Sequence, residues 1–348
     1  MLRASLIAFC AFVLMCTSCR HHGHRYVTMG FYHWKTAVNL TTEDHTMLKE
    51  TSCKKMYVNF FDVVPNADGH FDYPAVPGSQ TANLNALPHG MEIIPVIYIT
   101  NEAMKAMDSS TIPLIADKIH HKVARFVTAS GIDSIHELQI DCDWTNSTRD
   151  KYFYLLSQIK QHSHIPILSA TIRLYQYKYF KKAGVPPVDR GTLMFYHMNS
   201  VRDIESKELI LDVAEGKKYL DGEPYPLRLD YALPLFSEML VGDERHGVKF
   251  YSPKTFAKLM EDTALSRIDS LPGRYKVVKD THIGDEYLGT WDKVRMETVK
   301  LADLQQAADL LSARANSDTF SVIFFHLDRD ANSSFTTHEV KDIIHRFD

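Results

Sequence analysis

The sequence predicts a parallel (β/α)8 barrel of the TIM type, an α/β fold surrounded by helices. Eight apolar segments rich in Val, Ile, Tyr and Phe alternate with polar or amphipathic segments, which is the element order of α/β proteins. Several of these segments are nearly continuous in apolar residues, as expected of parallel strands covered on both faces. Charged and aromatic residues gather near the carboxyl ends of the segments, where such barrels carry their sites.

The eight predicted strands cover most of the chain between residues 26 and 328. Amphipathic stretches such as 111–130 and 150–161 separate them and predict helices. The strands are predicted at Tyr26–Trp34, Lys55–Val64, Glu92–Asn101, Glu137–Thr145, Ile165–Leu174, Thr192–Met198, Leu227–Phe236 and Phe320–Asp328.

One long segment, 237–300, interrupts the alternation between strands seven and eight. It contains a strand-like alternation at Arg274–Asp280 and precedes a predicted helix at Leu301–Ala315. Long insertions in barrels fall in the loops after strands, where ligands bind. We therefore predict a single barrel domain over 26–348 with this insertion. The insertion either walls one side of a cleft or packs as a small subdomain away from the ligand.

Composition limits the classes of partner. The chain has 348 residues, 45% of them apolar and 24% charged, as in well-packed globular proteins. Its net charge of -4 gives no general attraction to nucleic acid or to an anionic membrane surface. The 17 Tyr and 18 Phe would suit a sugar-binding cleft, although most aromatic residues belong to the core. We expect a monomer that binds carbohydrate and no nucleic acid.

The amino terminus is typical of an exported protein. Arg3 precedes an apolar run of ten residues, Leu6–Met15, which is too short to span a bilayer as a permanent helix. The run and the cysteine that follows it resemble a bacterial lipoprotein signal peptide, predicted at 1–18, with Cys19 as the lipidated first residue and 19–25 as a tether. An ordinary secretory signal is the alternative, because Cys16 stands where Leu is usual. Under either reading the mature protein leaves the cytoplasm, and under the lipoprotein reading we expect it in the cell envelope, lipid-anchored to a membrane on the periplasmic or the outer surface.

No cofactor motif, disulfide framework or CxxC pair is present in the predicted mature chain, so we expect neither a cofactor nor a metal. The segment 328–339 has the acid spacing of a calcium loop but carries Ser333 where the turn needs Gly. Thr336 and Glu339 also form a capping box for a closing helix at Val340–Phe347, and we favour this interpretation.

Strand four contains the most informative pattern. Period-two geometry places Gln139, Asp141 and Asp143 on one face and apolar residues on the other. Buried carboxylates need partners, and Arg173 on strand five is predicted to point inward beside these acids, within reach of a charge-assisted hydrogen bond to Asp141. Asp143 lies nearer the barrel mouth and is predicted to be functional, whereas the deeper Asp141 is predicted to orient it or to be structural.

Other polar and aromatic residues near the strand ends complete the predicted site. We take three acids as catalytic candidates, namely Asp141, Asp143 and Asp230. The predicted substrate-binding residues are Tyr32, Trp34, Asp62, Asn101, Trp144, Arg173, Tyr196, His197 and His326.

Local motifs resemble those of glycoside hydrolase family 18 and its chitinase-like relatives. The family's strand four reads Asp-x-x-Asp-x-Asp-x-Glu, and Asp141 and Asp143 match its second and third acids. Met194 and Tyr196 match the strand-six motif. Similar motifs are Leu233-Pro234 after strand seven and Leu327-Asp328-Arg329-Asp330 after strand eight. The resemblance implies the same barrel, an insertion between strands seven and eight, and a carbohydrate ligand.

The chain departs from the family at the residues that carry the chemistry. Thr145 stands at the position of the proton-donating Glu, Leu138 at the first acid, His197 at the strand-six Asp and Phe325 at the strand-eight Trp. A Thr hydroxyl cannot act as a general acid near neutral pH. The family's substrate-assisted mechanism therefore cannot be transferred intact.

Two hypotheses follow from these matches and departures. The first is a glycoside hydrolase with an altered acid, in which Asp143 works with a second carboxylate such as Asp230 or Asp62. The second is a non-catalytic, glycan-binding lipoprotein that has lost the acid. Two carboxyl groups facing each other across an open cleft would favour hydrolysis.

Overall fold

The computed structural model describes residues 25–34, 38–65, 71–72, 84, 87–88, 90–197, 210–243, 247–328 and 335–348. The predicted signal peptide at 1–18, Cys19 and residues 20–24 of the tether lie outside the described residues. Residues 329–334 of the calcium-like segment do so as well. Within the described part of the chain, no helix has both the length and the apolar character needed to cross a bilayer.

The strands alternate with helices outside the insertion. The helices are α1 (Thr42–Glu50), α2 (Asn101–Ala106), α3 (Ile112–Ala129), α4 (Arg149–His162), α5 (Leu174–Lys178), α6 (Phe180–Ala183), α7 (Val213–Leu220), α8 (Pro253–Glu261), α9 (Leu301–Arg314) and α10 (Thr337–His345). The strands are β1 (Tyr26–His33), β2 (Lys55–Pro65), β3 (Phe71–Asp72), β4 (Glu92–Ile99), β5 (Glu137–Asp141), β6 (Ile167–Arg173), β7 (Arg190–Met194), β8 (Leu229–Pro234), β9 (Ser237–Asp243), β10 (Gly247–Tyr251), β11 (Leu265–Arg267), β12 (Arg274–Val277), β13 (Thr281–Ile283), β14 (Glu286–Leu288), β15 (Lys293–Thr298) and β16 (Thr319–Phe325).

The predicted (β/α)8 barrel is confirmed. The parallel strands β1, β2, β4, β5, β6, β7, β8 and β16 form one sheet, and β1 pairs with both β2 and β16, which closes the ring. Each predicted strand overlaps one of these. The predicted fourth and sixth strands are too long at their carboxyl ends, because β5 leaves the sheet after Asp141 and β7 after Met194.

The outer face of the barrel packs on the helices and forms the main core. Leu138 and Ile140 of β5 are buried with Leu155 and Ile159 of α4 in one apolar cluster. The opposite face of β5 carries Glu137, Gln139 and Asp141, so polar groups run through the barrel interior as the alternation predicts.

The insertion begins at Ser237, two residues after β8 ends at Pro234. It forms a five-stranded antiparallel sheet in the order β10-β9-β15-β12-β11, with the hairpin β13–β14 and the helix α8. Its own apolar cluster includes Met239, Leu259 and Val294. The strand-like alternation predicted at Arg274–Asp280 corresponds to β12. Since the insertion starts at the carboxyl end of β8, its first residues lie beside the barrel mouth.

The capping box predicted for the closing helix is present at the start of α10. The Thr336 hydroxyl accepts a hydrogen bond from the Glu339 backbone N–H, and Glu339 accepts one from the Thr336 N–H at 2.8 Å. This geometry accounts for Glu339 without a metal.

Candidate functional site at the barrel mouth

Asp143 and Arg173 form the centre of the mouth. The Arg173 Nε donates to Asp143 Oδ1 at 2.6 Å, and Nη2 donates to Oδ2 at 3.0 Å. Both side chains are partly exposed, at 31% for Arg173 and 43% for Asp143. Arg173 thus lies beside the strand-four acids as predicted, but its hydrogen bonds go to Asp143 and not to Asp141, whose carboxylate pairs with Thr171. The bidentate pair fixes both planar groups in one orientation.

The local sequence holds Arg173 in place. Arg173 is the last residue of β6 and the residue that precedes α5. The Gln176 side chain accepts a hydrogen bond from the Arg173 backbone N–H at 2.7 Å and donates one to the Trp144 carbonyl at 3.1 Å. The buried Gln176 therefore joins the segment that follows β5 to the end of β6.

Asp141 lies below this pair and is nearly buried. Its carboxylate accepts a hydrogen bond from the Thr171 hydroxyl at 2.6 Å. Burial, and next the charge of Asp143, raise the pKa of Asp141 to about 6. Asp141 thus titrates close to neutral pH, in a position to respond to charge at Asp143.

Three polar atoms around the pair have no hydrogen-bond partner among the described residues. They are Arg173 Nη1, Tyr196 Oη and His197 Nε2, and each is buried. All three residues line one cavity of about 280 Å³, together with Asp143 and Trp144. Buried polar atoms without partners are costly. A ligand that supplies an acceptor to Arg173 and Tyr196 would therefore gain bonds that the free protein lacks.

Sequence reasoning missed Glu238, which faces the mouth from the insertion. Its carboxyl Oε1 is buried, has no hydrogen-bond partner among the described residues, and lies 3.9 Å from His197 Nε2. Burial, and next the charge of Glu297, raise the pKa of Glu238 to about 7. Burial, and next the charge of Arg173, lower the pKa of His197 to about 4. The imidazole is therefore neutral near pH 7, and the contact is not an ion pair there.

A second feature that the sequence reasoning missed is a wall of tyrosines. Tyr175 on α5 and Tyr219 on α7 line the same cavity as Asp143. Tyr175 is 46% exposed. The sequence could have indicated Tyr175, because it comes two residues after the predicted site residue Arg173 at the end of β6. The sequence could also have indicated Glu238, because it follows Leu233-Pro234 at the end of β8. It was not considered as a site residue because it falls within the predicted insertion.

Thr145, which stands at the proton-donor position of the family 18 motif, begins a turn. The Thr145 side chain is exposed, and its hydroxyl lies 2.9 Å from the Ser147 hydroxyl. The Thr148 hydroxyl accepts a bond from the Thr145 N–H and donates one to the side chain of Asn101, both at 2.9 Å. Asn101, a predicted substrate-binding residue, is thus engaged in holding this turn.

Asp230, a predicted catalytic candidate, does not lie at the mouth. It is fully buried near the start of β8, where it accepts a hydrogen bond from the Ser321 N–H at 2.6 Å and contacts Arg190 at 3.4 Å. Lys55 and Glu137, the first residues of β2 and β5, pair at 3.5 Å at the same end of the barrel. The side-chain alternation of the strand correctly places Asp230 inside the barrel, but its position as the second residue of β8 puts it at the amino-terminal end and not at the mouth.

The remaining predicted residues divide between the mouth and the core. Tyr196 stacks on Phe325 at the mouth, and half-buried Trp34 packs edge-on to Tyr98. Tyr32 is buried and donates to Gln139 at 2.6 Å, so it belongs to the barrel interior. Trp144 is 3% exposed and its indole stacks on Tyr152 of α4.

Asp62 and His326 complete the set. Asp62 pairs in register with Tyr98, which pairs with Asp141, so these residues lie side by side at the carboxyl ends of three strands. Burial raises the pKa of Asp62, which accepts a hydrogen bond from Asn59 at 3.0 Å. His326 lies beside Phe325 with ring centres 5.0 Å apart. Among the described residues, no group of three or more His, Cys, Asp or Glu is arranged to hold a metal ion.

Comparisons with known proteins identify relatives by structure alone. No protein-family model matches the chain, and no curated protein sequence matches it. The spore cortex-lytic enzyme SleL of Bacillus cereus superimposes with a TM-score of 0.55 at 13% identity, over 94% of this chain and 75% of that one. A chitinase from Chromobacterium violaceum gives 0.55 at 10% identity, over 91% and 99% of the two chains.

A mutant class V chitinase from Nicotiana tobaccum in complex with NAG4 gives a TM-score of 0.52 at 11% identity, over 92% of this chain and 99% of that one. These likenesses confirm that the chain has the barrel fold of family 18 chitinases, as the local motifs predicted.

Proposed function

We propose that this protein binds a carbohydrate at the mouth of its barrel. The observation that carries the proposal is the cavity in which Arg173 Nη1 and Tyr196 Oη are buried without partners. Sugars supply hydroxyl and carbonyl oxygens to such donors, and their C–H faces pack on aromatic rings such as Tyr175. The Asp143–Arg173 pair presents both a fixed acceptor and a fixed donor to the ligand.

The ligand class that we propose is a β-linked polymer of N-acetylhexosamine, as in chitin or in the glycan strands of peptidoglycan. An acetamido carbonyl is a neutral acceptor that would pair with Arg173 Nη1 and Tyr196 Oη. Proteins with this fold include chitinases, a spore cortex-lytic enzyme and a chitinase in complex with NAG4. These likenesses support the class of ligand and do not identify the linkage.

Titration calorimetry with oligomers of β-1,4-linked N-acetylglucosamine tests the proposal. We expect saturable binding to the wild-type protein and a loss of at least about tenfold in Asp143→Asn, with the fold intact by circular dichroism. Soluble peptidoglycan glycan strands are the second probe. A protein that binds neither of these two probes would overturn the proposal.

Hydrolysis is the second candidate function, and Glu238 is the observation that favours it. A carboxyl whose pKa is about 7 can donate a proton near neutral pH. Glu238 contacts His197, which lines the cavity with Asp143. Release of reducing ends from the same oligomers, measured apart from binding, decides between the two candidates. Turnover that Glu238→Gln abolishes without loss of affinity would establish a hydrolase, whereas binding without turnover would establish a binding protein.

We also propose that the mature protein is a monomer attached to the cell envelope through a lipid on Cys19. The support is the charged and apolar amino-terminal sequence that ends in Cys19. Metabolic labelling of the full chain with a palmitate analogue should label the wild type and not Cys19→Ala. Labelling of both, or of neither, would contradict the lipid anchor.

A further inference from the structure

The cavity at the mouth continues outward onto a strip of three tyrosines. Tyr175 is part of the cavity wall, and its ring centre lies 5.0 Å from that of Tyr179, one helical turn further on. Tyr219 on α7 forms the neighbouring wall. Tyr175 and Tyr179 are 46% and 44% exposed. Rings of this size in a monomer are usually more buried, so a continuous exposed row beside a cavity requires an explanation.

The strip is held in a fixed shape. Lys178 Nζ lies 5.7 Å from the centre of the Tyr179 ring and 5.6 Å from that of Tyr219, and it donates to the Lys218 carbonyl at 2.8 Å. The cation thus links the two rings across α5 and α7. Because these contacts already order the side chains, a ligand that packs on them loses little entropy in ordering them.

We propose that this tyrosine strip binds the second and third units of a glycan whose first unit occupies the cavity. The strip is continuous with the cavity through Tyr175, and the 5.0 Å between the rings of Tyr175 and Tyr179 is about the length of one pyranose unit. The rings offer apolar surface for packing, and the tyrosine hydroxyls offer donors at the ring edges. Lys178, which lies over the rings of Tyr179 and Tyr219, adds a further donor beside them. This inference rests on the proposed carbohydrate function and adds that the ligand is an extended chain.

The experiment measures affinity against chain length, using β-1,4-linked N-acetylglucosamine oligomers of two to six units. For the wild type we expect affinity to rise at least about tenfold from dimer to tetramer. Tyr179→Ala should remove most of this rise and leave the affinity for the dimer within about twofold, because the second unit lies on Tyr175, which lines the cavity, and only the third unit reaches Tyr179. Tyr179→Phe keeps the ring and should keep most of the rise.

Tyr154→Ala is the matched control, since Tyr154 is 41% exposed on α4 and lines a different surface recess. It should bind every oligomer like the wild type. Circular dichroism and thermal unfolding check that each variant is folded. The proposed role of the strip would be wrong if wild-type affinity did not depend on chain length, or if the length dependence survived in Tyr179→Ala. Either result would leave the proposed carbohydrate function in place. No binding at any length would overturn both.

Discussion

At the scale of single residues, the mouth depends on Arg173, whose guanidinium nitrogens are shared between Asp143 and the cavity. Two of its nitrogens hold Asp143, and the third is buried without a partner in the cavity. A lysine at this position could supply a charge but not this division, because its ammonium group has no planar fork. Arg173 is therefore the residue on which both the ion pair and the proposed ligand contact depend.

Arg173→Lys should lower the affinity for the bound N-acetylglucosamine oligomer by about tenfold or more, with little change in thermal stability. The physical reason is the loss of the bidentate bond to Asp143 and of the donor aimed into the cavity. Titration calorimetry measures the effect. Arg149→Lys is the control, since Arg149 pairs with its neighbour Asp150 at the surface at 2.8 Å. Equal affinities for wild type and Arg173→Lys would contradict this role.

Glu238 should make stability depend on pH. Its pKa is about 7 in the folded protein, compared with an ordinary value of 4.5. Its contribution to the free energy of unfolding is therefore fully present below pH 4.5 and is lost as the pH rises through about 7. Glu238→Gln cannot ionise, so its Tm relative to wild type should rise by at least about 2 °C between pH 5 and pH 8.

Thermal unfolding at several pH values measures this difference in Tm between Glu238→Gln and wild type. Other titrating groups such as Asp141 are present in both proteins, so their effects on Tm cancel. Glu261→Gln, at an exposed position of the same insertion, is the control and should follow the wild type throughout. A Tm difference between Glu238→Gln and wild type that stays constant with pH would show that Glu238 ionises normally.

At the scale of elements, the ends of helices and strands decide what their residues do. Glu339 fits both the acid spacing of a calcium loop over 328–339 and, with Thr336, a helix cap, and the structure shows the cap. Arg173 and Gln176 show the same principle at α5, where the first turn of a short helix positions a site residue.

Thr336→Ala should lower the free energy of unfolding by about 1 kcal/mol through loss of the cap on α10. Chemical denaturation measures this change. Thr46→Ala is the matched control: Thr46 is exposed within α1 and its hydroxyl only donates to the Thr42 carbonyl, so its replacement should be neutral or slightly stabilising. Equal losses in the two variants would argue against a specific role for the cap.

At the scale of the whole molecule, the barrel interior has two polar ends with different roles. Lys55, Glu137, Arg190 and Asp230 form a buried ionic layer at the amino-terminal ends of the strands. A middle layer, in which Gln139 links Tyr32 to Thr192, separates it from the mouth. Substitutions at the amino-terminal end should therefore lower stability without changing ligand affinity, and substitutions at the mouth should lower affinity with little change in stability.

Asp230→Ala should cost about 3 kcal/mol of stability, because it leaves Arg190 and the Ser321 N–H without their buried acceptor. Glycan affinity of the folded fraction should not change. Asp143→Asn should show the reverse, with stability within about 1 kcal/mol of wild type and weaker binding, because the pair at the mouth is partly exposed. Denaturation curves and calorimetry on both variants test the separation, and binding lost equally in both would refute it.

The fold was predictable because the apolar pattern repeats along the whole chain. Eight strand–helix alternations predict a barrel even where single boundaries shift by several residues, as at the ends of β5 and β7. Alternation on two neighbouring strands predicted that Arg173 lies beside the strand-four acids, but it pointed to Asp141 and not to Asp143 as the partner. Asp230 shows the limit, since alternation tells which face a residue occupies and not how far along the barrel it lies. Glu238 and Tyr179 were not identified, because they lie in segments after the strands whose course depends on tertiary packing.

The turn at Thr145 also bears on what a substitution at this position would do to the end of the strand. Thr145 points its hydroxyl toward Ser147, and Thr148 ties the backbone of Thr145 to Asn101. Several hydrogen bonds depend on small hydroxyl residues in this turn. A glutamate at position 145 would lose the hydroxyl that contacts Ser147. One substitution therefore cannot add a carboxylate at this strand end without removing a contact that holds the turn.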